Sequence, residues 1–151
     1  MPIKTFRGLM PDKSQTKISL STRDGSTGYR IKKFQMVSNQ PVNDDTEHIM
    51  MIWKLEQPTA SVAAGINAPD FSNQTLLGVG VYTNASSAHT VASFTGVVFD
   101  NEIFNQDIYI THSDEQAGIG CNYYLEIETM PLNLNENTVA TLRDIRNSNN
   151  Q

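Results

Sequence analysis

The stretch Cys-Asn-Tyr-Tyr-Leu-Glu-Ile-Glu, residues 121–128, alternates apolar and polar side chains more clearly than any other part of the chain. Successive side chains of a β-strand point to opposite faces, so this period of two predicts a half-buried strand. The apolar face is expected in the core, and its members are Cys121, Tyr123, Leu125 and Ile127. The other face is expected to meet solvent or a partner, and its members are Asn122, Tyr124, Glu126 and Glu128.

Similar short apolar patterns, separated by turn residues, recur along the rest of the chain. They occupy residues 17–21, 29–37, 48–55, 76–82, 91–99 and 107–110. Between the first two, Asp24-Gly25 is a strong turn signal and predicts a hairpin. Residues 1–10 are either a first strand or an N-terminal arm. Roughly seven to nine strands predict one mainly β domain over residues 1–151, an antiparallel β-sandwich or jelly roll.

Three segments carry more specific expectations. Residues 49–55 are apolar on both faces, which is typical of a central strand. Gly78 and Gly80 share one face of the following strand, where they allow a neighbour to pack closely. Residues 58–75 are rich in Ala, Ser, Asn, Gly and Pro, and they predict a long surface connection that serves as a contact loop.

The end of the chain changes its hydrophobic period. Val139, Leu142 and Ile145 recur every third residue, which produces an apolar stripe on a helix. Asn135 is a suitable N-cap for it. We therefore predict a short C-terminal helix over residues 136–146, packed on or beside the sandwich.

Residues that commonly serve as catalytic groups or metal ligands are few, and they lie far apart in the sequence. Cys121 is the only cysteine, which excludes an internal disulfide and a cysteine-based zinc site. The histidines His48, His89 and His112 lie in separate segments without ligand spacing, so ordinary strand positions are expected for His48 and His112. Nucleotide-binding, nucleophile-elbow and zincin motifs are missing from the sequence. We therefore expect no catalytic residue, no cofactor and no enzyme activity.

Two weaker alternatives remain open at this stage. An enzyme would require distant groups brought together by the fold, such as His112 with Asp107 or Glu115. A cation site would use Asp100, Glu102 and Asp107, which surround a predicted turn. These acids lack the alternate spacing and central glycine of a calcium loop, so no metal site is expected there.

The charge is distributed unevenly around a net value of −5. Nine of the eleven basic residues lie within the first 54 positions, whereas residues 56–142 contain ten acidic residues and no basic one. Either the two regions pair inside one domain, or a basic N-terminal arm binds an acidic face of a neighbouring subunit. The acidic balance argues against nucleic acid as a partner, and no apolar run is long enough to cross a membrane.

Several stretches together resemble a known group of proteins. They are Lys4–Leu9, Asp24–Ile31, Phe99–Tyr109, Cys121–Glu126 and Leu134–Arg146. They are similar to small virion structural proteins of tailed phages of marine bacteria. The resemblance covers most of the chain except the loop around residues 58–75, and it carries no catalytic or binding residue over.

The resemblance implies a structural role in the virion. We expect capsid decoration or cement first, with the chain itself and a major capsid or tail protein as partners. The alternative is a tail or fibre component that binds a receptor or glycan. Charge and outward position together give a candidate assembly surface, which consists of Lys4, Phe6, Arg7, Tyr124, Glu126 and Glu128.

Overall fold

The chain folds as strands joined by mostly irregular connections. The computed structural model describes residues 2–23, 25–41, 45–84, 93–99 and 101–133. Its elements are β1 (Ile3–Met10), β2 (Ser14–Ile18), β3 (Thr27–Ser38), β4 (Thr46–Trp53), α1 (Thr59–Ala64), β5 (Leu76–Asn84), β6 (Ser93–Val98), β7 (Ile108–Asp114) and β8 (Cys121–Pro131). The prediction of a mainly β fold is confirmed, and residues 1–10 contribute a strand. The predicted helix at 136–146 lies outside the described residues.

The strands form two antiparallel sheets that pack face to face. The three-stranded sheet has the order β1-β8-β3, and the five-stranded sheet has the order β2-β7-β4-β5-β6. The apolar side of β8 enters the space between them, as its alternation predicted. The sandwich-like arrangement is therefore confirmed. In the part of the chain that is described, no helix is long and apolar enough to span a bilayer.

The main hydrophobic core lies between the two sheets. It draws on both sheets and on the connections, and its members include Met10, Ile31, Phe34, Met50, Ile52, Ile110, Cys121, Leu125 and Ile127. Strand β3 contributes from both halves because its register shifts between Ile31 and Lys33. This bulge restores the inward direction of Phe34 after the two outward lysines, Lys32 and Lys33.

A second apolar cluster lies on the opposite side of the five-stranded sheet. We call it the five-stranded face, and it consists of Ile49, Met51, Trp53, Leu76 and Val79. The connection after β4 supplies Ile66, which packs against it. Strand β4 is thus buried on both sides, which explains its two apolar faces. The predicted long connection contains the short helix α1.

The glycines of β5 permit close contact between the sheets. A Cβ atom at Gly80 would lie 2.6 Å from Sδ of Met36 and 2.8 Å from Cε2 of Phe34. Only a residue without a side chain fits between β5 and β3 at this point. The prediction that a neighbour packs closely on this side of the strand is confirmed.

The predicted hairpin between β2 and β3 is wrong, although its turn is present. Gly25 has a positive φ of 67°, and its N–H donates to the carbonyl of Thr22 at 3.3 Å. Strand β2 pairs with β7, whereas β3 pairs with β8 in the other sheet. The turn therefore carries the chain from one sheet to the other, because both strands find longer-range partners.

Candidate functional site

The outer side of the three-stranded sheet presents the largest set of predicted surface residues. Directly paired residues of antiparallel strands share a face, so the register defines this surface. We call it the three-stranded face, and it consists of Ile3, Thr5, Arg7 and Leu9 of β1, Asn122, Tyr124, Glu126 and Glu128 of β8, and Arg30, Lys33, Gln35 and Val37 of β3.

Aliphatic side chains lie at both ends of the three-stranded face. Leu9 and Val37 flank Asn122 at one end and are 54% and 53% exposed. Ile3 is 47% exposed at the other end, opposite Glu128. Exposed aliphatic groups on one sheet face are a feature of surfaces that bind other proteins.

Ion pairs occupy the middle of the three-stranded face. Glu128 accepts from Arg30 at 2.8 Å and lies 3.8 Å from Lys32, and these contacts lower the pKa of the Glu128 carboxyl. Glu126 lies 4.0 Å from Lys33. Bases exceed acids on this surface, because Arg7 also belongs to it. The two glutamates therefore pair within the chain.

All five ion pairs found among the described residues join the basic N-terminal region to the acidic middle region. Besides the three on the three-stranded face, they are Lys17 with Asp107 at 3.3 Å and Lys54 with Glu102 at 3.5 Å. For these residues, the alternative of charge pairing inside one domain is confirmed.

Lys4 and Phe6 do not share the surface with the other predicted assembly residues. Both pair with core-facing residues of β8 and so lie on the inner side of β1. Phe6 is half-buried against the main core, and Nζ of Lys4 lies 5.9 Å from the ring centroid of Tyr29. Lys4 remains exposed at the edge of the sheet. Of the six predicted residues, four share the outer face, and Lys4 and Phe6 lie on the inner side of β1.

A cavity of about 360 Å³ opens beside the long connection. The rings of Phe71 and Phe99 meet edge to face at its side, with centroids 5.2 Å apart. Phe71 is 55% exposed. Polar side chains complete the lining, and they are Asn73, Gln74, Asn101 and Glu102. Aromatic rings next to amides and a carboxylate suit a polar organic ligand such as a sugar.

A chain of polar side chains crosses the main core from one sheet to the other. Ser38 of β3, His48 of β4 and His112 of β7 are 2%, 0% and 1% exposed. Nδ1 of His48 lies 2.9 Å from Nε2 of His112, and Nε2 of His48 lies 2.9 Å from Oγ of Ser38. Nδ1 of His112 lies 2.8 Å from the carbonyl oxygen of Pro11.

The carbonyl of Pro11 fixes the direction of every bond in this chain. A carbonyl only accepts, so Nδ1 of His112 carries a proton and Nε2 of the same neutral ring accepts. Nδ1–H of His48 therefore donates to His112, and the Ser38 hydroxyl donates to Nε2 of His48. Burial lowers the pKa of His48 to about 4 and also lowers the pKa of His112, so both rings are neutral at pH 7.

Cys121 lies beside the two histidines. Its Sγ and one nitrogen from each of His48 and His112 lie within 4.8 Å of one another. Burial raises the pKa of the thiol to about 12, so Cys121 is protonated and a poor nucleophile. The expectation that it is a small buried residue is confirmed.

The carboxylates named from the sequence have other partners. Asp107 accepts from the N–H groups of Leu20 and Ser21 at 2.7 Å each and pairs with Lys17. Glu115 accepts from Ser113 rather than from His112. Glu102 pairs with Lys54, and Asp100 lies outside the described residues. Within the described ranges, the one group of three or more suitable ligand side chains is His48, His112 and Cys121.

Sequence spacing missed this group because its members come from three strands. His48 lies opposite Asp114 in the β4–β7 ladder, and His112 lies opposite Met50. Only this register, and the stacking of β8 over both strands, brings the three side chains together. The one available signal was polar histidines within otherwise apolar strands.

The fold and its surfaces define a small β-sandwich protein with one face covered by its own chain. None of the protein-family models compared with this chain matches it, and no curated protein does either.

Proposed function

We propose that this chain is a non-enzymatic structural protein of a tailed-phage virion, where it decorates or cements the capsid. The observation that supports this most strongly is the three-stranded face. It places aliphatic groups at both ends of a surface on which bases exceed acids by one, without a covering segment from the described chain. Such a surface fits a rigid partner that offers apolar and acidic groups, namely a capsid subunit or another copy of this chain.

We further propose that the sandwich is a jelly roll. In that fold an antiparallel ribbon rolls up so that strands one and eight, two and seven, three and six, and four and five are neighbours. The pairs β1–β8, β2–β7 and β4–β5 are consistent with it. Strand β6 hydrogen-bonds to β5 and lies beside β3, since a Cβ at Gly96 would be 3.3 Å from the carbonyl oxygen of Phe34. Jelly rolls are frequent in viral capsid proteins.

The first test measures this protein on purified particles. We expect many copies per particle by quantitative mass spectrometry, and we expect release to increase with salt because the surface is charged. Complete absence from particles would refute the virion role.

The second test changes the three-stranded face. The double variant Leu9→Lys, Val37→Lys should retain the fold and lose binding to particles stripped of the protein. Val97→Lys is the matched control, because Val97 is an exposed valine, 39% accessible, on β6. Equal binding of both variants and the unmodified chain would exclude this face as the docking surface.

The second candidate function is receptor or glycan binding by a tail or fibre component. The cavity beside Phe71 favours it, since an exposed aromatic ring next to amide groups is a common way to hold a sugar. A glycan array with the unmodified chain and Phe71→Ala should show a signal that depends on this ring. No signal from the unmodified chain would count against this function and leave capsid decoration as the better proposal.

A further inference from the structure

We propose that His48, His112 and Cys121 bind one zinc ion in the core between the sheets. Their ligand atoms lie within 4.8 Å of one another, and the three residues are 0%, 1% and 0% exposed. Imidazole nitrogens and thiolates are typical zinc ligands, whereas calcium and magnesium bind mainly to oxygen. The site is independent of the virion role and goes beyond it.

The two histidine rings already face each other through the nitrogens that would bind the metal. Nδ1 of His48 and Nε2 of His112 are 2.9 Å apart. Around a tetrahedral zinc ion, with zinc–nitrogen bonds of about 2.0–2.1 Å, the same atoms would be about 3.3 Å apart. To bind the ion, the two nitrogens would move apart by a few tenths of an ångström, and each ring would turn so that its lone pair points at the ion rather than along the line between the nitrogens. Sγ of Cys121 lies within 4.8 Å of one nitrogen of each ring, and it would move closer to form a zinc–sulfur bond of about 2.3 Å.

The remaining ring nitrogens are held as they are in metal sites. Metal-binding histidines usually donate their second N–H to a carbonyl or another oxygen, which fixes the ring. Nδ1 of His112 already donates to the carbonyl of Pro11 at 2.8 Å. Nε2 of His48 lies 2.9 Å from Oγ of Ser38, and a hydroxyl both donates and accepts.

The Ser38 hydroxyl can therefore hydrogen-bond to His48 both without zinc and with zinc bound. Without metal, the hydroxyl donates to Nε2 of His48, whose proton is on Nδ1. With metal, that proton lies on Nε2 and is donated to Ser38, which frees Nδ1 for zinc. The Cys121 thiol loses its proton to solvent, and both rings stay neutral. Binding therefore releases one proton in total.

Nearby carboxylates favour a cation at this place. Asp114 is buried, and its side chain accepts from the N–H groups of Glu47, Gln116 and Ile119 at 3.0–3.1 Å. Asp12 accepts from the N–H of Asp114 at 2.6 Å. The negative charges of both carboxylates act on both histidines and oppose the effect of burial. A zinc thiolate would gain from the same field.

The sequence predicted no zinc site, because it has one cysteine and its histidines lack ligand spacing. Two histidines and one cysteine form a smaller set, comparable to sites with three protein ligands and a water molecule. Among the described residues, the hydrogen bond of the Cys121 thiol is a weak one, with Sγ 3.6 Å from the carbonyl of Asn122.

Cobalt provides the direct test, because a cobalt–thiolate bond produces a charge-transfer band that histidine alone does not. The full chain is freed of metal with EDTA and titrated with Co²⁺, with long equilibration because the site is buried. We expect one Co²⁺ per chain, the charge-transfer band, release of about one proton per ion, and displacement by Zn²⁺. Zinc should also raise the Tm.

Three variants distinguish this site from others on the chain. Cys121→Ala should lose the band and one-to-one binding. Ser38→Ala should keep the band and bind about 10- to 100-fold more weakly, since it removes the oxygen that holds His48. His89→Gln changes the remaining histidine, which lies outside the described residues, and should behave like the unmodified chain.

The Co²⁺ titration of the unmodified chain tests the zinc site even if a variant fails to fold. Absence of one-to-one binding, or binding without the charge-transfer band, would refute the site. Retention of the band in Cys121→Ala, or its loss in His89→Gln, would place the metal elsewhere and also refute it. Unchanged affinity in Ser38→Ala would exclude the role assigned to Ser38.

Discussion

The outer sides of the two sheets differ in how far the described chain covers them. The five-stranded face is apolar and covered, and Trp53, at the end of β4, is only 6% exposed. The three-stranded face is polar in its middle and uncovered by the described chain, so Leu9 and Val37 remain more than half exposed. Within the described residues, the long connection covers the outer side of the five-stranded sheet, and no segment covers the three-stranded face. The predictions below test this difference.

The largest effect is expected on the covered side. Trp53→Ala removes a buried ring whose Nε1–H donates to Oγ1 of Thr111 at 3.0 Å. We expect the free energy of unfolding to fall by about 3–5 kcal/mol, because a large cavity forms and Thr111 loses its partner. Urea unfolding followed by circular dichroism measures this.

Val37→Ala is the matched change on the three-stranded face. Its effect should stay within about 0.5 kcal/mol, as for other exposed positions. Similar losses for Trp53→Ala and Val37→Ala would show that both faces are covered.

The next effect concerns the shared interior and depends on pH. In metal-free protein kept in EDTA, the pKa of His48 is about 4 when folded, against 6.5 for an ordinary histidine. The unfolded chain therefore binds a proton from pH 6.5 downward, while the folded chain does not until about pH 4. Stability is full above pH 6.5 and falls below it, by about 3 kcal/mol near pH 4.

His48→Gln provides the control for this pH dependence. Glutamine does not titrate, so the fall in urea midpoint between pH 6.5 and pH 4 should become shallower, and the remainder reports His112 and the carboxylates. An identical slope in the variant would contradict the assignment to His48.

A smaller effect is expected where the sheets touch. Gly80→Ala places a methyl group against Phe34 and Met36, and we expect a loss of about 1–3 kcal/mol from overpacking. Gly8→Ala on β1 is the control, because the nearest atom there, in the Tyr123 ring, is 3.2 Å away. Thermal unfolding should rank Gly80→Ala as the less stable of the two.

The smallest effect is expected from an ion pair on the three-stranded face. Lys33 and Glu126 are 4.0 Å apart, and the lysine side chain is 50% exposed. Lys33→Gln should change the free energy of unfolding by less than about 0.5 kcal/mol, because water and salt screen the pair. If urea unfolding gave a loss above 1.5 kcal/mol, this face would be more shielded than the structure indicates.

Local pattern predicted much of the fold because it needs only the period of the backbone. The alternation of β8 and the two apolar faces of β4 both follow from which side chains avoid water. The glycines of β5 likewise indicated a close neighbour. Pairing was harder. The turn at Gly25 is local and was predicted, but its strands choose partners far along the chain, so the expected hairpin was wrong.

In the candidate sites too, some features could be predicted from the sequence and others depend on the tertiary structure. The outward direction of Tyr124, Glu126 and Glu128 could be predicted from period two alone. Their ion partners on β3 could not, because they depend on the β3–β8 register. The cavity at Phe71 depends on how the long connection returns to the sheet, which no local pattern encodes.

By itself, the sequence determined that this chain forms a β domain, which faces of its strands are buried, and that its charges divide into two regions. Only the tertiary structure decided where those faces meet. It brought His48, His112 and Cys121 into one group and joined the basic region to the acidic one. It also covered the outer side of the five-stranded sheet with the long connection, while no described segment covers the three-stranded face. The reason is that side-chain direction follows from neighbouring residues, whereas contact between distant strands follows from the free energy of the whole packed core.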